Sequence, residues 1–121
     1  MKFLLALALA VLVQQKDPTA SDASAAIVDG GVAIYATLNN PTMYDAYVQS
    51  GTSAAGKVVL RDGEKTTSNI TIPSFGSVEL KAGGPFVLVT DLKNQLKAGD
   101  TIKVSLDTDG GVAIAITAVV K

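Results

Sequence analysis

From residue 26 onward, short runs of β-branched and apolar residues alternate with polar positions and are cut by turn-forming clusters at regular spacing. That pattern predicts an all-β sandwich or barrel. Strands are expected at 31–38, 44–50, 56–60, 66–72, 77–80, 86–90, 101–106 and 112–120. Between them stand Asn39-Asn40-Pro41-Thr42, Arg61-Asp62-Gly63-Glu64, Ala82-Gly83-Gly84-Pro85 and Asp107-Thr108-Asp109-Gly110-Gly111, all residues that favour turns or tolerate positive φ. The last of these reads as a β-hairpin.

The period of two assigns faces. Val112, Ile114, Ile116 and Ala118 fall on one side of their strand and form the expected core face, while Ala113, Ala115, Thr117 and Val119 fall on the other. In 101–106 the apolar set is Ile102, Val104 and Leu106, with Thr101, Lys103 and Ser105 outward, the mark of a half-buried antiparallel strand. No segment after residue 25 sustains helical periodicity for three turns. Asp91-Leu92-Lys93-Asn94-Gln95-Leu96 is expected to make one helical turn that docks Leu92 and Leu96 inward, before Lys97-Ala98-Gly99-Asp100 turns the chain back. The hexapeptide Asp-Gly-Gly-Val-Ala-Ile occurs at 29–34 and again at 109–114. Neither copy precedes a helix whose N-terminus could receive an anion, so both read as a turn followed by a strand start rather than as phosphate-binding loops.

The first 25 residues differ in kind. Met1-Lys2 followed by the apolar run 3–13 fits the charged and hydrophobic regions of a secretory signal. The run is too short to span a bilayer comfortably. An uncleaved anchor or a buried amphiphilic helix is the alternative. The small-residue pattern allows a cut after Ala20, Ala23 or Ala25, and 14–25 reads as a polar, flexible tether. The expected organisation is therefore a leader or anchor plus tether over 1–25 and one domain over 26–121, with the product periplasmic or secreted and without a membrane span once cleaved.

Composition narrows the chemistry. The 121 residues suit one domain, and 48% hydrophobic with 17% charged residues places the chain among globular proteins. A formal net charge of −1 supplies no basic footprint for nucleic acid or for anionic membrane surfaces. The chain has no cysteine, which removes disulfides, thiolate ligands, thiol nucleophiles and the lipid-bearing cysteine of a bacterial lipoprotein. It has no histidine either, so the usual general base and the commonest metal ligand are both missing.

Several stretches resemble the periplasmic copper chaperone family PCu(A)C. Ile34-Tyr35-Ala36-Thr37-Leu38-Asn39-Asn40 is similar to the family's first long strand, and Ser53-Ala54-Ala55-Gly56-Lys57-Val58-Val59-Leu60 to its Ser/Ala-rich turn and strand. The most specific part runs over 72–106: Ile72-Pro73, Gly76-Ser77-Val78-Glu79-Leu80-Lys81, Gly83-Gly84, Leu92-Lys93 and Gly99-Asp100-Thr101 occur in the family's order and spacing. The resemblance implies a cupredoxin-like, immunoglobulin-like antiparallel Greek-key β-sandwich whose members hold copper through His and Met. Thioether sulfur and imidazole nitrogen suit soft copper(I). At the matching positions stand Arg61 for the first histidine, and Phe86 and Leu88 for the closing His-x-Met pair. The hairpin that supplies a further methionine is shortened, and 62–85 contains none. The resemblance thus implies the fold without its copper ligands, and no cofactor is expected.

Other constellations are weaker. Met43, the one methionine besides Met1, sits in the Pro41-Thr42-Met43-Tyr44 turn and reads as an edge-packing side chain. Asp62 with Glu64, and Asp107 with Asp109, flank turns and lack the oxygens of a full calcium site. Asn69-Ile70-Thr71 fits a glycosylation sequon of low specificity. Ser74, Ser77 and Lys81 have no spacing that singles out catalysis. The expected product is a non-enzymatic binding or accessory module, monomeric or weakly self-associating. Its partner is expected to be another exported or membrane-bound protein, met through a surface formed by Arg61, Phe86 and Leu88. The rival expectations are a copper chaperone with an intermolecular or otherwise unconventional site, and a self-associating structural sandwich.

Overall fold

The computed structural model describes residues 17–121; the apolar run 3–13, with the export signal read from it, lies outside the described residues. Among the described residues ten strands follow in order: β1 (Thr19–Val28), β2 (Gly31–Asn40), β3 (Ala46–Thr52), β4 (Lys57–Asp62), β5 (Lys65–Thr66), β6 (Ile70–Ile72), β7 (Gly76–Glu79), β8 (Pro85–Thr90), β9 (Thr101–Thr108) and β10 (Ala113–Val119). A six-stranded sheet has the order β1-β2-β8-β4-β5, with β7 also paired to β2, and a four-stranded sheet has the order β10-β9-β3-β6. All pairings between these strands are antiparallel. The molecule is an all-β, cupredoxin-like sandwich, as expected from the sequence.

The period of two places the core between the sheets. From the six-stranded sheet come Val32, Ile34, Ala36, Leu38, Leu60, Val87 and Val89; from the other come Val48, Ile70, Ile72, Ile102, Val104, Leu106, Ile114, Ile116 and Ala118. The strand faces read from alternation in β9 and β10 are the faces observed: Ile102, Val104, Leu106, Ile114, Ile116 and Ala118 are buried, and Val112 is half-buried. Burying a side chain of this size contributes about 1.5–3 kcal/mol, so the alternating pattern itself supplies the main driving force.

Three local expectations are corrected. The tether expected over 14–25 is, from Thr19, part of β1, a ten-residue strand paired with β2 from Thr19 opposite Asn39 to Val28 opposite Gly31. Its first half is small and polar and lacks the apolar alternation that marks the other strands. Pairing holds it, together with the half-buried Ala20 and Ala23 packed on the core and the fully buried Ala25. A bulge between Ser21 and Ser24, with Asp22 at φ 54°, bends the strand. Its far end ties the two sheets together, because Ala25 bridges Val120 in parallel and accepts a hydrogen bond from Lys121 N.

The single strand expected at 66–72 is two strands in different sheets. β5 folds back on β4 with Arg61 opposite Thr66, whereas β6 pairs with β3, and residues 67–69 carry the chain across. The helical turn expected at 91–96 is a series of bends. Asp91 takes φ 52°, and Lys93 N donates to Ala55 O at 2.9 Å. Leu92 and Leu96 nevertheless dock on the core as anticipated.

Close approach demands glycine at two places. A Cβ on Gly31 would lie 2.0 Å from Val89 O and one on Gly56 2.3 Å from Thr90 O, so both neighbours press backbone against the last turnless stretch of β8. This fixes β8 between β2 and β4, where the candidate site lies.

Candidate functional site

The positions singled out by sequence, Arg61, Phe86 and Leu88, lie on β4 and β8, which pair from Lys57 opposite Thr90 to Asp62 opposite Pro85. Arg61 stands directly opposite Phe86, and Val59 opposite Leu88. Residues opposed across an antiparallel pair share a face. Leu60, Val87 and Val89 turn to the core, so Val59, Arg61, Phe86 and Leu88 turn to the outer face of the six-stranded sheet. On the other side of β8, Ala33 of β2 is opposite Leu88. Tyr35, two residues on, meets Phe86 with ring centroids 6.1 Å apart at 57°. This tilted arrangement is one that the aromatic quadrupoles favour.

The structure therefore brings the three predicted residues into one patch, together with Tyr35, Val59 and Ala33. Alternation could have found the last three, since each is out of phase with the core positions of its strand. The patch is less open than a contact surface requires of every member. Leu88 is only 7% exposed and Ala33 is fully buried, so Leu88 packs the sheet and offers little to a partner. The accessible part is Arg61, Phe86, Tyr35 and Val59, each half-buried. Phe86 also packs against the core cluster.

Arg61 is the anomaly in this patch. Its Nε is buried, and among the described residues nothing accepts a hydrogen bond from it. An unsatisfied buried donor costs about 1–3 kcal/mol, more when charged. The turn beside it is closed by backbone bonds from Gly63 N to Gly84 O at 2.9 Å and from Lys81 N to Pro85 O at 2.9 Å. Neither spends itself on the guanidinium.

As chemistry, the patch offers a fixed cation, two aromatic rings and aliphatic surface. No thioether, thiolate or imidazole is among Arg61, Phe86, Leu88, Tyr35, Val59 and Ala33, so these residues do not fit a soft copper ion. Among the described residues no three His, Cys, Asp or Glu side chains cluster as metal ligands. Met43 lies elsewhere, 64% exposed in the turn after β2.

The remaining candidates are also placed. Asp107 Oδ2 accepts from Ser50 Oγ at 3.2 Å and Asp109 Oδ1 from Tyr47 N at 3.0 Å, which are loop-fixing bonds rather than a shared ion site. Asp62 and Glu64 are exposed in the β4–β5 turn, and Asn69 is exposed in the crossover. Ser74 N donates to Asp45 Oδ1 at 2.9 Å, and Ser77 is exposed on β7.

A family model described as lipoprotein LpqE-like matches residues 13–120. The chain belongs to the LpqE-like family. This LpqE-like chain is similar in fold to copper(I)-bound DR1885 from Deinococcus radiodurans, with 25% identity and TM-score 0.76 over 95% of this chain and 85% of that one. It is similar also to the copper-bound PCuAC domain from PmoF2, with 17% identity and TM-score 0.72 over 84% and 90%. The apo PCuAC domain from PmoF1 gives 20% identity and TM-score 0.68 over 88% and 90%. No curated protein matches the chain significantly. The family resemblance read from 34–40, 53–60 and 72–106 is thus matched by the whole architecture. No helix among the described residues is long and apolar enough to cross a membrane.

Proposed function

We propose that this LpqE-like chain is an exported, non-enzymatic accessory domain that keeps the PCuAC sandwich, has lost its copper site, and offers the β4–β8 corner to a protein partner. The observation that carries the reading is the pair Arg61 and Phe86. Two side chains that cannot ligate copper face each other across neighbouring strands, one a cation that repels a metal ion and the other a ring that excludes water. Such an apolar and arginine-bearing patch has the composition of an interface centre.

Export is supported by the apolar run 3–13 and by the family's lipoprotein description. These 121 residues contain no cysteine thiol to carry a lipid. If a leader is removed, a cut after Ala25 would delete seven residues of β1 and the bridge to Val120, so a cut that spares the fold falls before Thr19.

The experiment is a copper(I) competition titration against a chromophoric chelator, on the chain from Asp17 onward. No withdrawal of copper from the chelator is expected. The second reading, a chaperone using an intermolecular site, is favoured by the copper-bound relatives DR1885 and PmoF2. It requires a stoichiometric complex, which would overturn the first. For the contact corner, Phe86→Ala and Arg61→Ala are expected to weaken capture of the same exported partner. A partner retained by both folded variants would remove the corner from the account.

A further inference from the structure

A second, different surface lies where β2 runs out at Asn40 and β7 begins at Gly76. Here the turn after β2 and the turn before β7 meet. Phe75 N donates to Thr42 O at 3.0 Å, and Ser74 N to Asp45 Oδ1 at 2.9 Å. Both turns hang from Asn40, which is 2% exposed and has all its side-chain hydrogen-bonding groups engaged. Its Nδ2 donates to Tyr44 O at 2.8 Å and Ile72 O at 2.9 Å. Its Oδ1 accepts from Thr42 N at 3.0 Å and Thr42 Oγ1 at 2.7 Å. A buried, fully satisfied amide of this kind makes the tip one preformed unit.

What the unit presents is apolar. Met43, Tyr44 and Phe75 are 64%, 73% and 72% exposed, more than any other large hydrophobic side chain of the described residues. Phe75 adds a second oddity, φ 53°, a conformation that Gly or Asn would adopt with less strain. An exposed ring on a strained backbone is unfavourable twice over for the free domain, and such positions cluster where a ligand or partner is met.

Among the described residues, the charges around the tip have one sign. In 17–18, 39–47, 73–77 and 107–112 the charged residues are Asp17, Asp45, Asp107 and Asp109, with no lysine or arginine. Asp17, Asp45 and Asp109 line one concavity with Tyr44, beside the apolar tip. A membrane is a poor occupant, because carboxylates are repelled by anionic headgroups and the described residues of these segments offer no cation to reach them. A two-fold contact of the tip with its own copy would set these carboxylates against one another.

We propose that the Met43–Tyr44–Phe75 tip is a docking surface for a different protein, one that offers an apolar socket rimmed by lysine and arginine. The acidic rim steers and orients that partner, and the two rings and the thioether fill the socket. This surface is separate from the β4–β8 corner and does not depend on whether copper binds.

The test uses the full chain with a photo-crosslinking amino acid at position 44, made in the cell that naturally produces it, with the same group at position 119 as control. Mass spectrometry of the crosslinked peptide should identify a segment of another protein with apolar residues flanked by Lys or Arg. A synthetic peptide of that segment should bind the purified chain, with affinity falling as salt is added. Phe75→Asn should weaken it about tenfold, as loss of an interface anchor does, while the variant's thermal midpoint stays level or rises. Asp17→Asn with Asp45→Asn should weaken it by a smaller factor. Crosslinks to lipid, to another copy of this chain or to an acidic segment would overturn the proposal. So would a yield no higher than from position 119, or unchanged binding by folded Phe75→Asn.

Discussion

The β4–β8 corner and the Met43–Tyr44–Phe75 tip are both irregular places in an otherwise well-satisfied sandwich, but they are irregular in opposite ways. At the corner the backbone is regular, with every residue from Lys57 to Asp62 in register with β8, and the side chains are at odds with it. Arg61 keeps a buried Nε without a partner, and Leu88 is buried outside the core cluster on the sheet's outer face. At the tip the polar groups are satisfied and the backbone is what departs from the ordinary, with Phe75 in the left-handed region and its ring in solvent. On the proposed reading, the corner is a regular strand pair whose side chains no longer suit copper. The tip is a purpose-built loop pair with its own buried support.

The contrast can be broken most severely at the tip's support. Asn40→Ala leaves the carbonyls of Tyr44 and Ile72 and the Thr42 N–H without their partner, so about 2–4 kcal/mol of stability should be lost in urea denaturation. Amide exchange should rise first in 41–45 and 73–76 and leave the β4–β8 amides protected. Uniform loss of protection would mean that the tip is not a separate unit. Next, Leu88→Ala should cost about 2–4 kcal/mol, because its side chain is 7% exposed and packs the sheet. A cost near zero would return Leu88 to the contact surface from which its burial removes it.

Smaller effects sharpen the comparison. Arg61→Met keeps the aliphatic stem and removes the buried donor, so stability should rise by about 1 kcal/mol. A loss instead would show that the guanidinium is paired in solution. Phe75→Asn should raise stability by up to about 1 kcal/mol by relieving the left-handed strain. If it destabilises, the exposed ring is packing on its own domain rather than waiting for a partner.

How much of this was legible in the sequence follows from the same physics. The faces of β9 and β10 were readable because Ile102, Val104, Leu106, Ile114 and Ile116 alternate strictly with small or polar residues. The first half of β1 was not, because Thr19, Ser21 and Ser24 lack apolar alternation and are strand only through pairing with β2, with Asp22 in the bulge between them. The split of 66–72 was hidden for a similar reason. Thr66, Thr67, Ile70, Thr71 and Ile72 have strand propensity and mask the short Ser68-Asn69 turn signal, at which the chain passes from one sheet to the other. Arg61, Phe86 and Leu88 were found through family likeness and do come together, but their burial could not be read from their identity. Leu88 sits where both faces of the sheet are covered. The tip was missed because its signals are an ordinary-looking Pro-Thr-Met-Tyr turn and a Phe whose positive φ no sequence pattern reveals.

Rebuilding the corner tests whether the frame is still that of a metal site. Arg61→His, Phe86→His and Leu88→Met together put two imidazoles on directly opposed positions, whose Cβ atoms lie about 4.5–5.5 Å apart in such pairs, with a thioether on the same face of β8. The triple variant should gain copper(I) binding. Failure to bind in a folded variant would mean that the frame as well as the ligands has changed.

The most direct measurement remains copper(I) competition on the unaltered chain from Asp17 onward, with the triple variant alongside. The account predicts that the unaltered chain leaves the chelator's colour unchanged at equimolar protein while the variant depletes it. A one-to-one copper(I) complex of the unaltered chain would contradict the central claim that this PCuAC sandwich works without its metal.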